Sequence, residues 1–229
     1  MVKQQVLLAW SSGKDSAWAL HCLRGMDSVE VTGLLTSFSD TAGRVAVHEV
    51  RRELVEAQAF SAGLPLHAVS LPWPCPNDTY EQRLREALSA AHARGVTHIA
   101  FGDLFLDDIR DYRLKLLEGT GIAPLFPIWC GEHGTRALAQ QMVAAGLRAT
   151  LTCVDEKRLP ASFVGREFDA ELLGELPPEV DPCAERGEFH TFCHAGPMFS
   201  RPIEVRVAGY SSLNQFAYAD LVLADAPAA

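Results

Sequence analysis

The sequence predicts an α/β protein: a parallel sheet with helices on both faces, followed by a smaller, β-rich α+β region. Two observations carry this. From Val6 to about residue 130, short apolar runs alternate with helix-periodic stretches. Such alternation implies right-handed parallel crossovers and a helix-covered sheet. Beyond 130 the pattern changes, and the last 40 residues carry three β-like runs. The 229 residues, 48% of them hydrophobic, are enough for a normal buried core.

The elements follow in order. Val6 to Trp10 is an apolar strand, and Ala17 to Arg24 reads as a helix behind the polar loop between them. Val29 to Ser37, rich in Val, Thr and Leu, is a second strand. His48 to Ala62 has helical period, with Val50, Leu54, Ala57 and Phe60 on one face, and Gly63 supplies its C′ glycine. Leu66 to Leu71 is a third strand. Pro72 to Pro76 cannot be regular, because each proline removes a donor and restricts its predecessor. Asn77 or Asp78 caps the next helix, which runs to about Arg94 and stops at Gly95. Val96 to Phe101 is a fourth strand, Asp107 to Glu118 a helix and Ala123 to Phe126 a fifth strand. Further on, His133 to Gly146 reads as helix and Arg148 to Val154 as strand. Phe189 to His194, Ile203 to Val207 and Phe216 to Leu223 are the β runs, and Ala226 to Ala229 is a frayed tail. These changes divide the chain into domains of 1–130 and 131–229.

Composition argues against several classes. The net charge is −9, so the electrostatic footprint of a nucleic-acid binder is missing. No apolar segment approaches the ~20 residues of a membrane span. Val6 to Trp10 is too short for the apolar region of a signal peptide, so a cytoplasmic location is expected. The six cysteines include no C-x-x-C pair, which argues against a zinc ribbon or a thiol-disulfide motif. The β-rich C-terminal region offers a strand edge that permits a homodimer.

Three polar segments carry candidate chemistry. The first is Ser11-Ser12-Gly13-Lys14-Asp15-Ser16, between a strand and a helix. Small residues there let backbone amides approach a phosphate, the helix dipole favours an anion, and Lys14 adds a full charge. Ser11, Ser12 and Ser16 offer hydroxyls. Asp15 can hold Mg²⁺ directly or through water, or cap the helix. The loop is not the common ATPase motif, which needs a second glycine five residues earlier and Ser or Thr at 15. The second segment is Gly102 to Arg113, whose Asp103, Asp107, Asp108 and Asp111 suit metal or acceptor binding, or simply a helix start; Arg110 offers a bidentate fork. The third is Asp181 to Phe192. There Glu188 and His190 would share a strand face and could orient an amine or take its proton; a polar loop entering an edge strand is the plain alternative. Ligands of parallel sheets bind beyond the carboxyl ends of the strands, where the Ser11–Ser16 loop, Thr36–Asp40 and Gly102–Asp108 fall.

The first loop resembles the S-G-G-K-D-S loop of the ATP pyrophosphatases, with Ser12 in place of a glycine. Together the three segments resemble the diphthine–ammonia ligases and their ATP-binding relatives, over nearly the whole chain. Gly102 to Tyr112 is similar to that family's G-D-x-x-x-D-x-x-R-x-[WY]. Asp181 to Phe192 is similar to D-P-C-G-E-N-G-E-F-H-T-F, with Ala184 and Arg186 replacing Gly and Asn. Leu125 to Trp129 also fits. The resemblance implies an adenine-nucleotide α-hydrolase-like (HUP-type) domain and a smaller C-terminal domain. It implies a reaction in which ATP adenylates a carboxylate acceptor, pyrophosphate leaves, and ammonia displaces AMP. In the named ligases the carboxylate is on a modified histidine of translation elongation factor 2. By position, Ser11, Ser12, Gly13, Lys14, Asp15 and Ser16 would bind phosphates, with Leu35, Ser37 and Gly102 also at the nucleotide. Asp103, Asp107 and Arg110 would belong to the active site, and Glu185, Glu188, His190 and Thr191 would face the acceptor. Sulfur transfer to tRNA and a nucleotide sensor without turnover are the rival readings. The first would require cysteine pairs and a basic surface; the second would not require Asp103, Asp107, Glu188 and His190.

Overall fold

The computed structural model describes residues 3–41, 43–45 and 49–226. Five strands, β1 (Gln4–Ala9), β2 (Val29–Ser39), β3 (Leu66–Leu71), β4 (His98–Ala100) and β5 (Ala123–Leu125), form one sheet in the order β3-β2-β1-β4-β5. Every pairing in it is parallel. Because β1 is central, consecutive residues alternate between two buried faces. Val6 and Leu8 join a cluster with α1 (Lys14–Arg24) and α2 (Arg52–Ala62), while Leu7 joins another with α3 (Asn77–His92) and α4 (Asp107–Leu117). Helices therefore cover both faces, as expected of a HUP-type sheet.

The remaining elements are α5 (Thr135–Ala144), β6 (Arg148–Asp155), α6 (Ala170–Glu175), β7 (Phe189–Ala195), β8 (Val205–Leu213) and β9 (Phe216–Leu223). The strands form an antiparallel sheet in the order β7-β6-β9-β8. Its Leu151, Phe192 and Leu221 belong to the same apolar cluster as Val6 and Leu20. The second sheet thus packs on the α1/α2 side of the first without a separate core.

Several expected elements shift. The helix expected from His48 starts at Arg52, because Arg51 is extended (φ −64°, ψ 143°) and bridges to Arg44; His48 lies outside the described residues, as do 227–229 of the expected tail. Neither Asn77 nor Asp78 caps α3. Pro76 holds that place, and the Asn77 side chain donates to Glu81 at 2.9 Å. The expected Ile203–Val207 strand runs instead to Leu213, because the turn at Asn214 (φ 57°) folds it against β9. The short α6 was not expected; Asp169 caps it, accepting from the Leu172 amide at 2.8 Å. Among the described residues no helix is long and apolar enough to cross a membrane.

Candidate active site

The site grows from the end of β1. After buried Trp10, the chain turns at Ser12 and enters α1 through extended Gly13 (φ −81°, ψ 172°). Ser12 has φ +72°, the left-handed region that favours glycine. This is why a residue without Cβ suits that place in related loops. The turn is laced internally. The Gly13 amide donates to Ser11 Oγ at 3.3 Å, Ser11 Oγ donates to Ser16 Oγ at 3.2 Å, and Ser16 Oγ donates to the Gly13 carbonyl at 3.0 Å. The Lys14 amide donates to Thr191 Oγ1 at 3.1 Å. The amides of Asp15 and Ser16 follow in the first helical turn, where no intrahelical acceptor exists. They sit at the positive end of the helix dipole. Gly102, at the end of β4, lies against them: a Cβ there would stand 3.1 Å from Asp15 C and from Ser16 N. A side chain at 102 would force these backbone segments apart by a few tenths of an ångström.

A cleft of about 610 Å³ opens above the carboxyl edge of the first sheet, within the range of small-molecule sites. Ser11, Asp15, Ser16 and Gly102 line one part, and Leu35 and Ser37 from β2 another. Asp103, Glu185 and His190 complete the polar wall. Leu71, Leu84, Ile99 and Phe101 make it apolar elsewhere. Nine of the expected residues are therefore brought to one cavity.

The other expected residues are not in its lining, for local reasons. Lys14 is 2% exposed and points into the protein. Its ammonium donates to the Cys183 carbonyl, pairs with Asp15 Oδ2 at 2.9 Å and lies 5.5 Å from the ring centroids of both Phe168 and Phe189. Burial opposes that charge most strongly, but Asp15, Cys183 and Asp181 together outweigh it and hold the ammonium above its ordinary value. Ser12 is fully buried and Gly13 lies under the Thr191 carbonyl. Thr191 is buried and serves the Lys14 amide. Asp107 is exposed in the first turn of α4, and Arg110, also exposed, stacks over Trp129 (5.0 Å) and Phe126 (5.5 Å). Arg113, one turn later, does reach the cleft; it pairs with Asp103 at 3.3 Å and lies over Phe101 at 4.9 Å.

Glu188 and His190, expected to act as a pair, take different places. His190 lines the cleft, whereas Glu188 is 1% exposed and its two oxygens accept from the amides of Asp181 (3.2 Å) and Arg186 (3.1 Å). β7 begins only at Phe189, so strand alternation does not govern Glu188. Asp181 mirrors this role, accepting from the Cys183 amide at 3.3 Å and the Glu185 amide at 2.8 Å. The two carboxylates frame a turn that projects Glu185 into the cleft. Glu185 Oε1 accepts from the Leu104 amide at 2.7 Å. Burial, reinforced by Asp15 and Asp103 against the Leu104 bond, pushes its carboxyl up to about 7. Burial, with Lys14 nearby, pushes His190 down to about 4, so its imidazole is neutral at pH 7.

The same turn explains a second departure from the related motif. Ala184 has φ +57°, so the glycine found there in related sequences answers a backbone need. Ala184→Gly is expected to stabilise the protein by about 0.5–1 kcal/mol, relief of the left-handed penalty less the entropy of a freer unfolded chain. Urea denaturation of the two proteins checks this; a lower midpoint in the variant would contradict it. Arg186 pairs with Glu132 and lies over Phe105 at 5.0 Å, outside the cleft lining.

Sequence reasoning missed Arg113, Asn77 and Tyr80 in the cleft wall, and Gln58 beneath the loop. Arg113 carried a weak signal, ten residues beyond Asp103 on a helix. Gln58 carried none, since a glutamine in a helix is ordinarily a surface residue.

No curated protein is significantly similar to the chain in sequence. Two family models do match: the diphthamide synthase N-terminal domain over residues 3–123 and the diphthamide synthase C-terminal domain over 134–220. The first covers β1 to β4 and the Ser11–Ser16 loop, and the second most of the antiparallel sheet. The chain belongs to the diphthamide synthase family, a family of PP-loop ATP pyrophosphatases.

Proposed function

We propose that the protein is an ATP-dependent, AMP-forming ligase that adenylates a carboxylate-bearing acceptor and lets ammonia displace AMP. The observation that carries this reading is the projection of Glu185 into the same cleft as the α1 amides. An anion site and a carboxylate able to accept a proton then share one cavity. Residues 1–130 bind the nucleotide, and 131–229 supply Glu185 and His190 from the acceptor side.

Each group has a task. The α-phosphate and pyrophosphate lie at the amides of Asp15 and Ser16, with the Ser11 and Ser16 hydroxyls beside them. Leu35 and Ser37, at the end of β2, meet the adenine. Asp15 Oδ1 is buried with no hydrogen-bond partner, so it suits a cation. Among the described residues no three acidic, histidine or cysteine side chains cluster as a metal site. Mg²⁺ is commonly held by one or two carboxylates together with substrate phosphates. Asp15 would hold Mg²⁺, which neutralises the pyrophosphate charge when bound. After adenylation, the ammonia nitrogen bonds to the acyl carbon, the bond to the AMP oxygen breaks, and the surplus proton passes to Glu185. Neutral His190 can accept a hydrogen bond from the incoming nitrogen. The deeply buried Cys183 and Cys193, whose thiols burial raises far above their ordinary value, do not suit the sulfur-transfer alternative.

The test is product analysis with Mg²⁺-ATP and ammonium, with and without an extract of the source cells. AMP and pyrophosphate that depend on the extract are expected. ADP and phosphate would refute cleavage at the α-phosphate, and tight ATP retention without turnover would favour a sensor.

A further inference from the structure

The phosphate loop carries two unfavourable features at Ser12. Its backbone is left-handed (φ +72°), and its buried hydroxyl has no hydrogen-bond partner. The Ser12 side chain therefore gives the turn no support. Its carbonyl does, accepting from the Cys193 amide at 2.9 Å and from Gln58 Nε2 at 2.9 Å. Gln58 lies on α2 and is fully buried. Its Nε2 also donates to the Cys193 carbonyl at 2.6 Å, while its Oε1 accepts from Trp10 Nε1 at 2.8 Å. The orientation of the amide follows from its partners, because two carbonyls can only accept and an indole N–H can only donate. One side chain thus ties together the exit of β1, the turn of the loop and β7.

We infer that Gln58 is a positioning residue for nucleotide binding, holding the Ser12 peptide in its left-handed turn so that the first amides of α1 face the cleft. The inference rests on the ATP-binding reading above. It gives a physical account of how this chain tolerates serine where related loops carry glycine: a buried amide clamps from outside a turn that the residue itself disfavours. If so, the need for Gln58 falls once residue 12 has no Cβ.

The test is a double-mutant cycle on the full chain with Gln58→Met, Ser12→Gly and the pair. Mg²⁺-ATP dissociation constants are read by calorimetry, and thermal unfolding is measured on the same samples. Gln58→Met is expected to weaken ATP binding about fivefold, the size of one net hydrogen bond. Ser12→Gly sets its own reference affinity, and the double variant should lie within about twofold of it. The loss of thermal stability from the unpaired Trp10 and Cys193 groups should persist in both backgrounds. A merely structural glutamine would lower stability and leave this affinity pattern absent. Equal weakening in both backgrounds, or unchanged affinity in Gln58→Met, would overturn the inference. Should Gln58→Met fail to fold, Gln58→Glu keeps the acceptor for Trp10 but cannot donate to both carbonyls, and the same rescue by Ser12→Gly is required of it. A wild-type protein that binds no ATP would instead fail the nucleotide reading itself, an outcome distinct from binding without rescue.

Discussion

Replacing Lys14 by alanine is expected to cost about 3 kcal/mol of stability as well as activity, because removing one partner of a buried ion pair leaves the other uncompensated. A lysine reaching into an open cleft would leave stability nearly unchanged. Here the ammonium is enclosed by Asp15, the Cys183 carbonyl and the rings of Phe168 and Phe189. Its removal exposes three costs: an unpaired Asp15, an unsatisfied carbonyl and a void between two aromatic rings. Because Cys183 belongs to the turn framed by Asp181 and Glu188, the loss also loosens the segment that presents Glu185. Lys14→Met fills the void but restores neither charge nor donor, so it should recover only part of the loss. Denaturant unfolding of wild type and both variants decides the matter, and an unmoved midpoint in Lys14→Ala would show that the ammonium is not part of the fold's support.

Glu185→Gln is the second large effect. It is expected to lower kcat by about 10²–10⁴-fold, the usual contribution of a general base, with little change in KM for ATP. The pH dependence gives the sharper check. With its carboxyl pushed up to about 7, Glu185 is neutral below that pH and charged above it, so base-dependent turnover should rise through about pH 7. The glutamine variant should lose that acid limb. Stability carries the opposite sign. The folded state binds this proton more tightly than the unfolded chain, so the stabilisation is fully present below the ordinary carboxyl range and is lost as pH rises through about 7. Glu185→Gln should remove this slope from a pH series of unfolding curves. A variant that keeps both its acid limb and its slope would rule Glu185 out as the base.

The sequence determined much of this protein by local means. Period-2 and period-3.6 apolar patterns marked the five parallel strands and most helices, because each element must bury one stripe or face whatever its neighbours are. The Ser11–Ser16 loop was legible because phosphate binding by backbone amides requires small residues in consecutive positions between a strand and a helix. The Asp181–Phe192 segment was legible as a site for the same reason of contiguity. What the sequence left open was the direction in which each polar side chain points. Lys14, next to the cleft in sequence, turns inward, because residues 181–189 bring it a carbonyl and an aromatic ring from far along the chain. Of two carboxylates three residues apart, Glu188 is spent on turn amides and Glu185 is projected into the cavity. Arg113 rather than Arg110 meets the site because only Arg113 finds Asp103 and Phe101. Composition and spacing specify which groups are available to a site. Long-range packing decides which of them must satisfy the backbone and which are left for chemistry, because a buried polar group takes its partner from whatever the fold places beside it.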